Sequence, residues 1–115
     1  MIAPRKMMNK RILIVDDEPS IRTVLAAHLS RFGYDVDTAP DGSAAIAALQ
    51  NDPFHLVVSD IKMPVVDGMA LLNWVSTHQL GLPVILITAH GTVDSAVEAI
   101  KQGAFDYVTK PFDQD

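Results

Sequence analysis

The sequence predicts a doubly wound α/β domain built on one five-stranded parallel sheet. Short apolar runs rich in β-branched residues alternate along the chain with amphipathic stretches of helical period. Such alternation implies parallel pairing through right-handed crossovers. Three of the runs are apolar throughout and two alternate with polar residues, which separates strands buried on both faces from half-exposed edges. The 115 residues amount to one domain, and 49% hydrophobic against 20% charged residues suffices for a core and excludes a disordered chain.

Arg5, Lys6, Lys10 and Arg11 cluster near the start and read as a solvated, frayed terminus, with residues 1–9 a flexible tail and 10–115 the domain. Arg11-Ile12-Leu13-Ile14-Val15 is the first buried strand. Pro19 sits in the first turn of a helix that carries Ile21, Leu25, Leu29 and Phe32 on one face, with Gly33 as its stop. Tyr34 to Ala39 alternates as an edge strand does. Asp41-Gly42 opens an alanine-rich helix through Ala45, Ile46 and Leu49, which Asn51-Asp52-Pro53 ends. Leu56-Val57-Val58 is the next buried strand, and Asp67 caps a third helix bearing Leu71, Leu72 and Val75. Val84-Ile85-Leu86-Ile87 is the last buried strand. Thr92 or Asp94 caps a fourth helix with Ala96, Ala99 and Ile100, stopped at Gly103, and Phe105 to Thr109 alternates as the second edge.

Composition removes several functions. With no cysteine there is neither a disulfide scaffold nor a thiolate zinc site, and a reducing, cytoplasmic setting fits. A net charge of −5, from 14 acidic and 9 basic residues, argues against nucleic-acid binding by this domain itself. No apolar run approaches the ~20 residues of a membrane span. His28, His55, His78 and His90 show no ligand spacing, and Trp74 reads as cover for the side of the third helix.

In an open parallel sheet, ligands bind beyond the carboxyl ends of the strands. The residues that follow or close the runs are Asp16-Asp17, Asp60, Thr88 and Lys110. Each alone has an ordinary reading as a solvated loop residue, but four strands delivering compatible groups to one edge is a site. Carboxylates packed together call for a hard divalent cation with oxygen ligands, of which Mg²⁺ adds waters and phosphate oxygens to its shell. Lys110 can pair with a phosphoryl oxygen and Thr88 can donate to another. The set suits phosphoryl transfer, with a carboxylate as nucleophile.

Ile14-Val15-Asp16-Asp17-Glu18-Pro19, Ser59-Asp60-Ile61-Lys62-Met63-Pro64, Asp67-Gly68, Thr88-Ala89 and Lys110-Pro111-Phe112 resemble, in order, the signatures of response-regulator receiver domains of bacterial two-component systems. The resemblance runs from about Lys10 to Asp115. It implies the flavodoxin-like strand order 2-1-3-4-5. It implies that Asp60 is the phosphoacceptor. Asp16, Asp17, Asp60 and the backbone carbonyl of Lys62 would hold Mg²⁺, or Mn²⁺ in its place. Thr88 and Lys110 would be the catalytic hydroxyl and ammonium, Thr88 and Tyr107 the switch pair, and Lys62 and His90 the residues that tune phosphate lifetime. A cis Lys110–Pro111 bond is a further expectation. Segments around Ala89-His90-Gly91 and Gly103-Ala104-Phe105-Asp106-Tyr107 resemble receivers of sigma-54-dependent transcriptional activators.

The implied function is a phosphorylation switch: a sensor histidine kinase donates, Asp60 accepts, and an interaction surface changes. Transcription control, and any contact with nucleic acid, would pass through output domains outside this chain. Two other functions compete. A Mg²⁺-dependent phosphohydrolase would be favoured by an Asp-x-Asp nucleophile motif, where this chain has Asp16-Asp17. A receiver fragment serving only dimerisation would take no label. Receivers end in a fifth helix, and this chain stops at Asp115, where that helix should begin. One sheet face is therefore expected to lack cover and to favour association between copies.

Overall fold

The computed structural model describes residues 10–89 and 93–109. In chain order the elements are β1 (Arg11–Val15), α1 (Pro19–Arg31), β2 (Asp35–Ala39), α2 (Gly42–Asn51), β3 (Leu56–Asp60), α3 (Gly68–His78), β4 (Val84–Thr88), α4 (Val93–Lys101) and β5 (Asp106–Thr109). The strands form one parallel sheet in the order β2-β1-β3-β4-β5, so the two alternating runs are the two edges.

Side chains alternate across a strand, and the two faces of this sheet are unequal. Leu13, Val15, Val57, Val84 and Leu86 point to the face covered by α2, α3 and α4, where Ala45, Leu49, Leu71, Leu72, Val75 and Ala99 complete the main core. Burying one such leucine contributes about 1.5–3 kcal/mol. Ile12, Ile14, Val58 and Ile87 point the other way, toward Leu25, Ala26 and Leu29 of α1. That helix buries no residue fully. On its face Val36, Leu56, Ile85 and Val108 are half-buried, a milder exposure than the bare patch expected from the sequence. No fifth helix follows β5 among the described residues.

The helix ends are largely those the sequence predicts. Asp41 accepts from the Ala44 N–H at 2.8 Å and Asp67 from the Ala70 N–H at 2.9 Å, caps that each stabilise by ~1 kcal/mol. Pro19 is in the first turn of α1, and Gly33, at φ +90°, turns the chain out of it. Phe32 departs from expectation. It caps α1 at φ −88° and ψ 7°, off the helical path, and is 71% exposed beside His28. Trp74 is half-buried and stacks on His78, one turn further along α3, with ring centroids 4.7 Å apart.

Arg11 also departs from its reading as part of a solvated terminus. It is only 7% exposed, opens β1, and lies over the Phe54 ring at 4.6 Å. Its guanidinium pairs with Asp35 at 3.7 Å and Asp52 at 3.8 Å, and donates to Asp37. Its main chain pairs with His55 in both directions, N–H to Nδ1 at 2.9 Å and carbonyl to N–H at 2.8 Å. The cause is register: Arg11 is paired with Asp35 on the edge strand, and Asp37 lies two residues along on the same face.

Candidate functional site

Parallel strands all end at one edge, and there the acidic residues meet. Asp60 closes β3 and is 7% exposed; Asp16 directly follows β1 and is 2% exposed; Asp17 is exposed. One carboxylate oxygen from each lies within 4.8 Å of the others. At that spacing Asp16 and Asp60, if both ionised, repel by roughly 3 kcal/mol at an effective dielectric of ~20. Three converging oxygen donors fit a hard divalent cation, Mg²⁺ or Mn²⁺, far better than a soft metal.

The acidic groups are held by main-chain bonds. Asp16 donates its N–H to Ala39 at 3.2 Å, its Oδ1 accepts from the Glu18 N–H at 2.9 Å, and its carbonyl accepts from Arg22 Nη1 at 2.6 Å. Beyond Asp60, Ile61 donates to the Ile87 carbonyl at 2.9 Å and accepts from the Gly68 N–H at 2.7 Å. The first residue of α3 thus sits against the end of β3. Gly68 must be glycine there, because a Cβ would stand 2.3 Å from the Asp60 carbonyl oxygen. The intervening loop carries Val65 at φ +65°, 98% exposed, a conformation rare for a β-branched residue.

Thr88 closes β4 and is 3% exposed. Asp60 is registered with Ile87, so Thr88 lies one residue further along the adjacent strand. Tyr107 pairs with Leu86, two residues before Thr88 on the same face, and its hydroxyl hydrogen-bonds Ser95 Oγ of α4 at 2.6 Å. Lys62 is exposed in the loop after β3. Lys110, His90 and the Lys110–Pro111 bond lie outside the described residues. Sequence reasoning missed Arg22 and Ser95: each makes a side-chain hydrogen bond across a turn or between elements, which residue spacing alone does not reveal.

Residues 12–115 match the response regulator receiver domain family. The chain belongs to that family. This receiver is 45% identical over 104 residues to the DNA-binding transcriptional regulator NtrC of Salmonella typhimurium (strain LT2), covering 90% of this chain and 22% of that protein. It is 41% identical, over 90% of its length and 23% of the relative's, to the transcriptional regulatory protein GlrR of Escherichia coli (strain K12). Among solved structures, the receiver domain of NtrX from Brucella abortus superposes with a TM-score of 0.83 at 41% identity, covering 89% of this chain and 87% of that one. The chemotaxis protein CheY4 of Vibrio cholerae gives 0.85 at 32% identity, covering 91% and 89%. The receiver spans little more than a fifth of the curated relatives' length. Among the described residues, no helix is long and apolar enough to cross a membrane.

Proposed function

We propose that this receiver is a phosphorylation switch in which Asp60 takes a phosphoryl group from a sensor histidine kinase. The observation that carries the reading is the cluster of Asp16, Asp17 and Asp60 within 4.8 Å of one another, with Thr88 ending the adjacent strand. A carboxylate oxygen of Asp60 forms the new bond to phosphorus as the nitrogen–phosphorus bond of a donor protonated on its other ring nitrogen breaks, leaving an acyl phosphate and a neutral imidazole. Asp16, Asp17, Asp60 and the Lys62 carbonyl would hold Mg²⁺, which when bound neutralises the phosphoryl oxygens and the carboxylates. Thr88 donates to one phosphoryl oxygen and Lys110 pairs with another. Lys62 and His90 then set how readily water reaches the acyl phosphate.

Signal output follows from Thr88 and Tyr107. Drawing Thr88 toward the phosphoryl group opens space on the α4 side of β4, into which Tyr107 can move. NtrC and GlrR are transcription regulators, and control of transcription through output domains is the reading we extend to the whole protein. The receiver assists its own phosphorylation and turns over no separate substrate. Nothing in the family match favours a phosphohydrolase.

Labelling tests this. With Mg²⁺ and acetyl phosphate or a phosphorylated kinase, the chain takes up to one phosphoryl group per molecule, and Asp60→Asn takes none while remaining folded. Label on another residue, or release of phosphate in many turnovers, would defeat the reading. Light scattering of the same samples across a dilution series reports whether copies associate.

A further inference from the structure

We infer that Arg22 is a positioning residue: by gripping the main-chain carbonyl of Asp16 it fixes the β1–α1 turn, so that Asp16 and Asp17 meet Asp60 around one divalent cation. This rests on reading the acidic cluster as a cation site.

The turn needs such a grip. Only residues 16–18 join β1 to α1, and α1 starts without a side-chain cap at Glu18 and with Pro19, which has no N–H. Arg22 closes the gap from inside the helix. Its N–H reaches the Glu18 carbonyl at 3.2 Å and its Nη1 the Asp16 carbonyl at 2.6 Å, so one residue holds two carbonyls of the turn. The Asp16 Oδ1 contact with the Glu18 N–H at 2.9 Å then sets how the Asp16 carboxylate faces the cluster. The choice of acceptor also matters. A guanidinium paired to a carboxylate oxygen would compete with the cation for that ligand, whereas Arg22 bonds the carbonyl.

Clamp and charge have opposite consequences, which makes the inference testable. Removing a nearby positive charge raises the affinity of an acidic site for a cation; removing a support that orients its ligands lowers it, typically by about 10–100-fold. Mg²⁺ affinity is measured calorimetrically on the full chain for wild type, Arg22→Ala and Arg22→Lys. Amide exchange at Glu18 is followed by NMR without Mg²⁺, and urea unfolding reports stability. Arg22→Ala is expected to weaken Mg²⁺ binding about tenfold or more and to speed Glu18 exchange several-fold. Arg22→Lys, which keeps an N–H donor, recovers most of both. Mg²⁺ binding as tight as or tighter than wild type in Arg22→Ala overturns the inference. If Arg22→Ala does not fold, Arg22→Gln is read by the same criteria. A wild type that binds no Mg²⁺ refutes the cation reading of the cluster; the clamp is then judged on Glu18 exchange alone, and unchanged exchange overturns it.

Discussion

Gly68→Ala asks whether the contact between α3 and the end of β3 sets the geometry of Asp60. A Cβ at this position would stand 2.3 Å from the Asp60 carbonyl oxygen, 2.7 Å from Ile61 Cα and 3.0 Å from the Asp60 carbonyl carbon. All three are main-chain atoms, so no side chain can rotate out of the way. Restoring an ordinary separation of ~3.5 Å requires a shift of about 1 Å in either the start of α3 or the end of β3. Overpacking of this kind costs about 1–3 kcal/mol. Alanine's helix preference over glycine returns at most ~1 kcal/mol, and less at the first residue of a helix. The Gly68 N–H bond to Ile61, 2.7 Å long, lies in the path of the shift and weakens with it. The net expectation is a loss of about 1–2 kcal/mol, near 4 °C in melting temperature for each kcal/mol at this size. Function should fall further than stability, because misplacing a reacting group by ~1 Å can cost about 100-fold in rate. Urea unfolding and the initial rate of acetyl phosphate labelling measure the two effects. A variant as stable as wild type that labels at the wild-type rate would refute the reasoning.

Three further outcomes are expected. Asp60→Asn should be more stable than wild type by about 1 kcal/mol or more in Mg²⁺-free buffer at neutral pH, because it removes repulsion among carboxylates. It should lose the stabilisation that wild type gains from the ion, ~2.7 kcal/mol at a hundredfold excess over Kd; urea titrations with and without Mg²⁺ check both signs. Arg11→Met should cost roughly 3 kcal/mol by removing the largely buried guanidinium that faces the carboxylates of Asp35, Asp37 and Asp52, read as a lower urea midpoint at unchanged slope. Ser95→Ala should cost ~0.5–1 kcal/mol, the low end for a hydrogen bond that water can partly replace, and should broaden the NMR signals of the Tyr107 ring as its hydroxyl loses its anchor.

The fold was legible because hydrophobic period and strand class agree along the whole chain. The buried runs at Ile12 to Val15, Val57-Val58 and Val84 to Ile87 could only be central strands, and the alternating runs could only be edges. Asp41 and Asp67 were readable as caps because capping depends on a residue three positions away. The acidic cluster was legible for a similar reason: a parallel sheet delivers every strand end to one side, so the residues after the runs had to meet. What escaped were contacts made by long or mobile side chains. Arg11 was legible as the first residue of a strand, but its place among four terminal cations hid its partners until register set it opposite Asp35. Arg22 lies one turn into a helix, and its choice of the Asp16 carbonyl depends on rotamer, not on pattern. Phe32 matched the helical period but fell one residue past the last turn, where the period no longer applies.

On the proposed reading, the placement of Thr88 and Tyr107 would give the switch a physical route. Coupling between two places needs an element with two arrangements that both places bias. Thr88 and Tyr107 share the face that α4 covers, on neighbouring strands, with Leu86 registered beside Tyr107 and Thr88 two residues beyond it. Leu86 is wholly buried between them. The helix is lightly held on its outer side, where Val97 and Ile100 are each about half exposed. The bond from Ser95 to Tyr107 ties α4 to the edge strand. A displacement of Thr88 that made room for the Tyr107 ring would compete directly with that bond. At ~1 kcal/mol for one such bond, the resting arrangement is favoured by only about fivefold on this account. A difference that small is within reach of one phosphoryl group acting at the adjacent strand end.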